Sequence, residues 1–76
     1  MTTQQKAQAL AAAVRRLCGT SPEGTADGPE VARAAGFHPD DPSLYSAFRE
    51  AQRLGLIGRP YWAGGMALPV ALSYTG

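Results

Sequence analysis

This chain is poor in the residues that usually announce a chemistry. It has one cysteine, Cys18, so no internal disulfide can form and nothing points to an oxidising compartment. It has one histidine, His38, and one cysteine and one histidine are too few for a structural zinc site, so no metal is expected. The same two residues are the only candidates for a nucleophile and its base. Cys18 falls on an apolar helical stripe with no acid placed to orient an imidazole, so no catalytic residues are expected and the chain reads as a non-enzyme. Gly64-Gly65 lacks the Lys and Ser/Thr that follow in a phosphate-binding loop; it reads as a turn, and no cofactor is expected. The longest weakly polar run, Ala7 to Val14, is too short for a bilayer and is interrupted by Gln8. The N-terminus lacks the charged-then-apolar order of a signal peptide. No membrane association is expected, and the expected location is cytoplasmic. Charged residues make up 17% of the chain with a formal net charge of +1, far from the basic balance that would by itself indicate nucleic acid.

What is present is helical periodicity followed by a short alternating stretch. At 76 residues the chain reads as one domain, 1–76, which must gather most of its large apolar side chains into one core. After a frayed lead-in from Met1 to Gln4, a first helix is expected from about Gln5 to Leu17. Ala7, Leu10, Ala11, Val14, Leu17 and Cys18 share one stripe there, and Gly19 serves as the stop. The far side, with Gln5, Ala9, Ala12, Ala13 and Arg16, is short and nearly uncharged. Either alanine is there as the best helix former, or that face packs closely against a second copy or a neighbouring domain. Thr20 to Ala26 has loop composition. A second helix starts at Asp27, whose carboxylate would cap the third helical residue while Glu30 reaches back and Pro29 presets the first turn. Val31, Ala34 and Ala35 face inward, Gly36 ends the helix, and Phe37 follows as an anchor.

Asp40 to Ile57 organises the rest. Asp40 or Asp41 can cap, with Pro42 at the first helical position. Leu44, Ala47, Phe48, Ala51 and Leu54 recur at three- and four-residue intervals and face a core. At about 100° per residue, Ser46, Arg49 and Arg53 lie opposite that stripe, with Tyr45, Glu50 and Gln52 on the flanks. Gly55 can adopt the left-handed conformation that ends a helix, with Leu56 folding back. Beyond Ile57 the pattern becomes extended: Gly58 to Trp62, a turn at Ala63-Gly64-Gly65, then Met66 to Tyr74. In the latter, Leu68, Val70, Leu72 and Tyr74 alternate with Ala67, Pro69, Ala71 and Ser73. Pro60 and Pro69 donate nothing to a ladder, which suits a two-stranded ribbon beside helices. The expected core is Leu10, Val14, Leu17, Val31, Phe37, Leu44, Phe48, Leu54, Ile57 and Leu72.

Glu30-Val-Ala-Arg-Ala-Ala-Gly-Phe, Ser43 to Leu54 with Gly55-Leu-Ile, and Ala71-Leu-Ser-Tyr-Thr-Gly, in that order, resemble the winged helix-turn-helix family of bacterial or phage type. The resemblance implies a mostly α fold with a small β-hairpin, three helices followed by a two-stranded wing. It implies binding of double-stranded DNA, with a recognition helix over about 42–54 in the major groove, by a small transcriptional regulator or accessory factor. Ser43, Ser46, Arg49 and Arg53 would face the DNA with Tyr45 at the margin. Arg33 and the start of the second helix would meet the backbone, and Arg59, with Tyr61 or Trp62, would be the wing's contribution. Many members form two-fold dimers, here through the alanine face of the first helix or through the wing. Each arginine has a plainer alternative as a solvated charge, Arg49 and Arg53 pairing with Glu50. The alternative function is a protein-docking module, phage-encoded or accessory, because near-neutral charge and an aromatic-bearing wing with one arginine also suit a protein surface.

Overall fold

Three helices form where the apolar stripes recur, and local hydrogen bonds set their ends. In the computed structural model, which describes residues 1–58, 60–65 and 67–74, α1 spans Thr3–Thr20, α2 Gly28–Ala34 and α3 Leu44–Arg53. The expected fraying before Gln5 is corrected by a capping box. The Gln5 amide donates to Thr2 Oγ1 at 3.1 Å while the Thr2 amide donates to Gln5 Oε1 at 2.8 Å, so two otherwise unpaired donors are satisfied reciprocally. Gly19 does not stop α1, which continues to Thr20. A glycine permits a left-handed exit but does not require one.

Asp27 caps α2 as expected, its Oδ1 accepting from the Glu30 amide at 2.8 Å. Both α2 and α3 end on a glycine with positive φ, Gly36 at 89° and Gly55 at 74°. At each end two amides turn back onto the last carbonyls: Gly36 to Arg33 and Phe37 to Ala32, then Gly55 to Gln52 and Leu56 to Ala51. The start of α3 lies later than expected. Its N-cap is Ser43, and neither Asp40 nor Asp41 caps the helix directly; instead Asp41 Oδ1 accepts from the Ser43 amide at 2.9 Å and hydroxyl at 2.7 Å.

α1 packs against both other helices, and the core runs along it. Leu10, Val14, Val31, Leu44, Phe48, Ile57 and Leu72 are buried as expected, and Leu17 and Phe37 pack partly buried at its edge. Leu54 departs from its stripe and is 37% exposed, because it is the C-cap of α3, where the chain is already turning away. Ala13 also departs, being fully buried. The inward side of α1 is wider than one stripe, since α2 and α3 cover it from two directions.

The expected winged architecture is overturned in its second half. Among the described residues there is no β-strand, hence no sheet and no wing, and the molecule is a mostly helical small globule. The segment after α3 does double back, but through isolated antiparallel bridges, Ile57 with Tyr74 and Tyr61 with Ala71. Ile57 and Tyr61 are four positions apart and Ala71 and Tyr74 three, so the register slips by one between the bridges and no ladder propagates. Leu72 pairs instead with Ala26 in the loop before α2, with bonds of 2.8 and 3.0 Å. Pro60 and Pro69 remove two donors, and Pro69 is buried rather than turned outward. Its carbonyl accepts from Gly28 at 2.7 Å. Met66, Thr75 and Gly76, expected in the second strand and its exit, lie outside the described residues. No helix among the described residues is long and apolar enough to cross a membrane.

Candidate nucleic-acid interface

The direction of the α3 surface is fixed from beneath. Leu44, Ala47, Phe48 and Ala51 are fully buried, which aims Tyr45, Ser46, Arg49, Gln52 and Arg53 into solvent with Glu50 half-buried at the margin. Together with Thr3 from the first turn of α1 they line one shallow hollow. Gln52 joins the three residues expected there. The same 100° spacing that places Arg49 opposite the core sets Gln52 one step around the helix from it, so the signal was in the sequence.

Arg49 stands at the centre. Its guanidinium carbon lies 5.9 Å from the ring centroid of Tyr45 and 5.9 Å from that of Trp62, within the range of attraction between a cation and a ring face. The two rings are themselves 6.0 Å apart at 59°, and the Trp62 indole N–H donates to the Ala67 carbonyl at 3.4 Å. Residues from α3 and from the segment after it thus meet around one arginine.

The other arginine of the face is engaged by a carboxylate. Arg53 Nε reaches Glu50 Oε1 at 2.7 Å and its Nη2 reaches Oε2 at 2.8 Å, two parallel bonds in a fork. Those bonds hold the Glu50 carboxyl below the usual carboxylate range and raise the Arg53 guanidinium above its ordinary value. Counting Arg49, Arg53 and Glu50, the face carries one net positive charge.

No family model matches this chain, and no curated protein or solved structure is significantly similar to it.

Of the expected DNA-facing residues that the structure describes, Tyr45, Ser46, Arg49 and Arg53 are brought onto one surface, and Ser43 and Arg33 are not. Ser43 is half-buried and committed elsewhere, its Oγ accepting from Lys6 Nζ at 2.7 Å and donating to Asp41. This network ties the first turn of α1 to the start of α3, and the two Ser43 donors hold the Asp41 carboxyl below its usual range. Arg33, on α2, lines a different hollow with Pro29, Phe37, His38 and Leu68, which shares no residue with the α3 surface. Arg59 lies outside the described residues. The pairing of Arg53 with Glu50, three residues apart on one helix, is the plainer alternative that the sequence offered, whereas Trp62 and Lys6 carry more of the geometry than the sequence indicated. Their roles depend on partners in space, and Lys6 is 37 residues from Ser43.

Proposed function

We propose that the protein binds double-stranded DNA through the outward face of α3, acting in the cytoplasm as a small regulator or accessory factor. The observation that carries this reading is that Ser46, Arg49, Gln52 and Arg53 share one exposed face of a helix whose opposite face is fully buried. An α-helix fits the major groove. There an arginine can present two parallel donors to guanine, a glutamine can pair with adenine, and hydroxyls can reach phosphate. Arg49 is the base-reading candidate: packing beside two rings restricts its rotamers before any partner arrives, which lowers the entropy lost on binding. Ser46 and Tyr45 are candidates for phosphate.

With one net positive charge on the face, phosphate contacts are few, so affinity for arbitrary sequence is modest and fades near physiological salt. The reading is for a single copy. Pairing through the alanine face of α1 loses most of its basis, since Ala13 is buried and Ala9 half-buried.

Fluorescence anisotropy with labelled duplex pools at 50 and 200 mM salt tests the reading. The parent should bind, and the triple variant Ser46→Ala, Arg49→Ala, Arg53→Ala should not. Arg49→Ala alone should cost about 1–3 kcal/mol and relax preference at one base pair. Equal binding by parent and triple variant would overturn the reading. A protein-docking role would then take over, and one observation favours it: Tyr45, Arg49 and Trp62 cluster, and Tyr61, next to Trp62 in the chain, is 64% exposed. Tyr, Trp and Arg are the residues that most often dominate protein–protein contacts.

A further inference from the structure

We infer that Glu50 restrains non-specific DNA binding by occupying the fork of Arg53 that a phosphate would otherwise take. The inference rests on the DNA-binding reading above and deepens it. Arginine meets carboxylate and phosphate through the same geometry, two parallel N–H donors on one edge of the guanidinium. In this protein Nε and Nη2, the donors of one such edge, both end on Glu50.

The two partners are unequally placed. The Glu50 side chain is 24% exposed and that of Arg53 is 68% exposed, so the anion sits close against the protein while the cation reaches outward and is held back on its own helix. Arg49 is treated differently, since its neighbours are ring faces rather than a carboxylate. One arginine is left free to read and the other is held in reserve.

Exposed ion pairs three residues apart on a helix are weak. A phosphate brought close by a well-matched site therefore displaces Glu50 more fully than a loosely apposed backbone does. Glu50 in this way lowers affinity for arbitrary sequence more than affinity for a fitted one, and widens the ratio between them.

The test measures binding to random-sequence duplex between 50 and 200 mM salt for the parent, Glu50→Gln, Arg53→Gln and the double variant, with circular dichroism confirming that each is folded. Each phosphate contact adds about 0.9 to the slope of log affinity against log salt. Glu50→Gln should therefore steepen the slope by about one unit, making its loss of affinity over that range roughly 3–4-fold larger than the parent's. The double variant should return to the parent slope, because both lack an available Arg53. Arg53→Gln alone should weaken binding to a fitted site, where Arg53 reaches phosphate, and cost random-sequence binding well under one unit of slope.

An unchanged slope in Glu50→Gln overturns the inference. So does a steepened slope that persists in the double variant, since that would reflect only the loss of a negative charge. A full unit lost in Arg53→Gln overturns it too, by showing Arg53 already on phosphate. If neither parent nor any variant binds duplex at any salt, the DNA-binding reading falls and this inference with it. If the parent binds and Arg49→Ala weakens it while Glu50→Gln changes nothing, the inference alone falls.

Discussion

Replacing Gly28 with alanine is expected to destabilise the protein, against the sign that helix propensity gives. Gly28 is the first residue of α2, and alanine in a helix is favoured over glycine by up to about 1 kcal/mol. Its surroundings reverse that preference. A Cβ built there would collide with the Pro69 carbonyl oxygen and would crowd Pro69 Cδ at 3.0 Å and Leu68 Cβ at 3.1 Å. The oxygen is backbone and cannot swing aside, and it also accepts the 2.7 Å bond from the Gly28 amide. Separating the two segments strains or breaks that bond, worth about 0.5–1.5 kcal/mol, on top of an overpacking cost of about 1–3 kcal/mol. After the propensity gain, the net loss should be about 1–3 kcal/mol.

That is a large share of the roughly 4–11 kcal/mol that 76 residues support at about 0.05–0.15 kcal/mol each. Urea unfolding followed by circular dichroism measures it, with an unchanged m-value as the check that the unfolding transition is the same. Gly19→Ala is the internal control. Gly19 lies within α1, and an added Cβ there meets nothing within 4 Å, so it should stabilise by about 0.5–1 kcal/mol. If Gly28→Ala matched or exceeded the parent in stability, the close seating of α2 on the segment around Pro69 would be wrong.

Two further pairs of measurements probe the core and the start of α3. Phe48 and Leu54 lie on the same sequence stripe, but Phe48 is fully buried and Leu54 is 37% exposed; Phe48→Ala should cost about 3–5 kcal/mol and Leu54→Gln less than about 0.5 kcal/mol, and comparable losses in urea unfolding would contradict the burial pattern. The Asp41 carboxyl is lowered by the Ser43 hydroxyl and amide, so its ionised form is favoured in the folded state. Its contribution should be complete above the unfolded carboxylate value of about 4 and be lost as pH falls below it. Asp41→Ala should accordingly lower the urea midpoint at pH 7 by an amount that shrinks as pH falls below about 4, whereas a pH-independent deficit would assign the loss to packing.

What could be seen in advance was what neighbours in sequence decide. The Asp27 cap, the glycine exits at Gly36 and Gly55, and the buried stripe Leu44, Ala47, Phe48 and Ala51 all follow from spacing within one helix. The Thr2 and Gln5 box is equally local, a Thr followed three residues later by Gln, but no strong apolar position stands beside it to mark a helix start. The wing failed for a non-local reason. Alternation from Leu68 to Tyr74 specifies an extended chain but not its partner, and Leu72 pairs with Ala26 while the bridges nearer α3 slip in register. The interface divides along the same line. Helical spacing put Ser46, Arg49 and Arg53 on one face, but it could not say that Lys6 would claim Ser43 or that Trp62 would arrive beside Arg49.

The most direct test of the central claim is titration of isotopically labelled protein with duplex DNA, followed by the backbone amide and side-chain N–H shifts of each residue. DNA binding through α3 requires the largest changes between Tyr45 and Arg53 and at the Trp62 indole, growing with added duplex and fading as salt is raised. Shifts centred instead on the separate hollow lined by Ala12, Arg15 and Leu56, or no shifts at any ratio of duplex to protein, would contradict it.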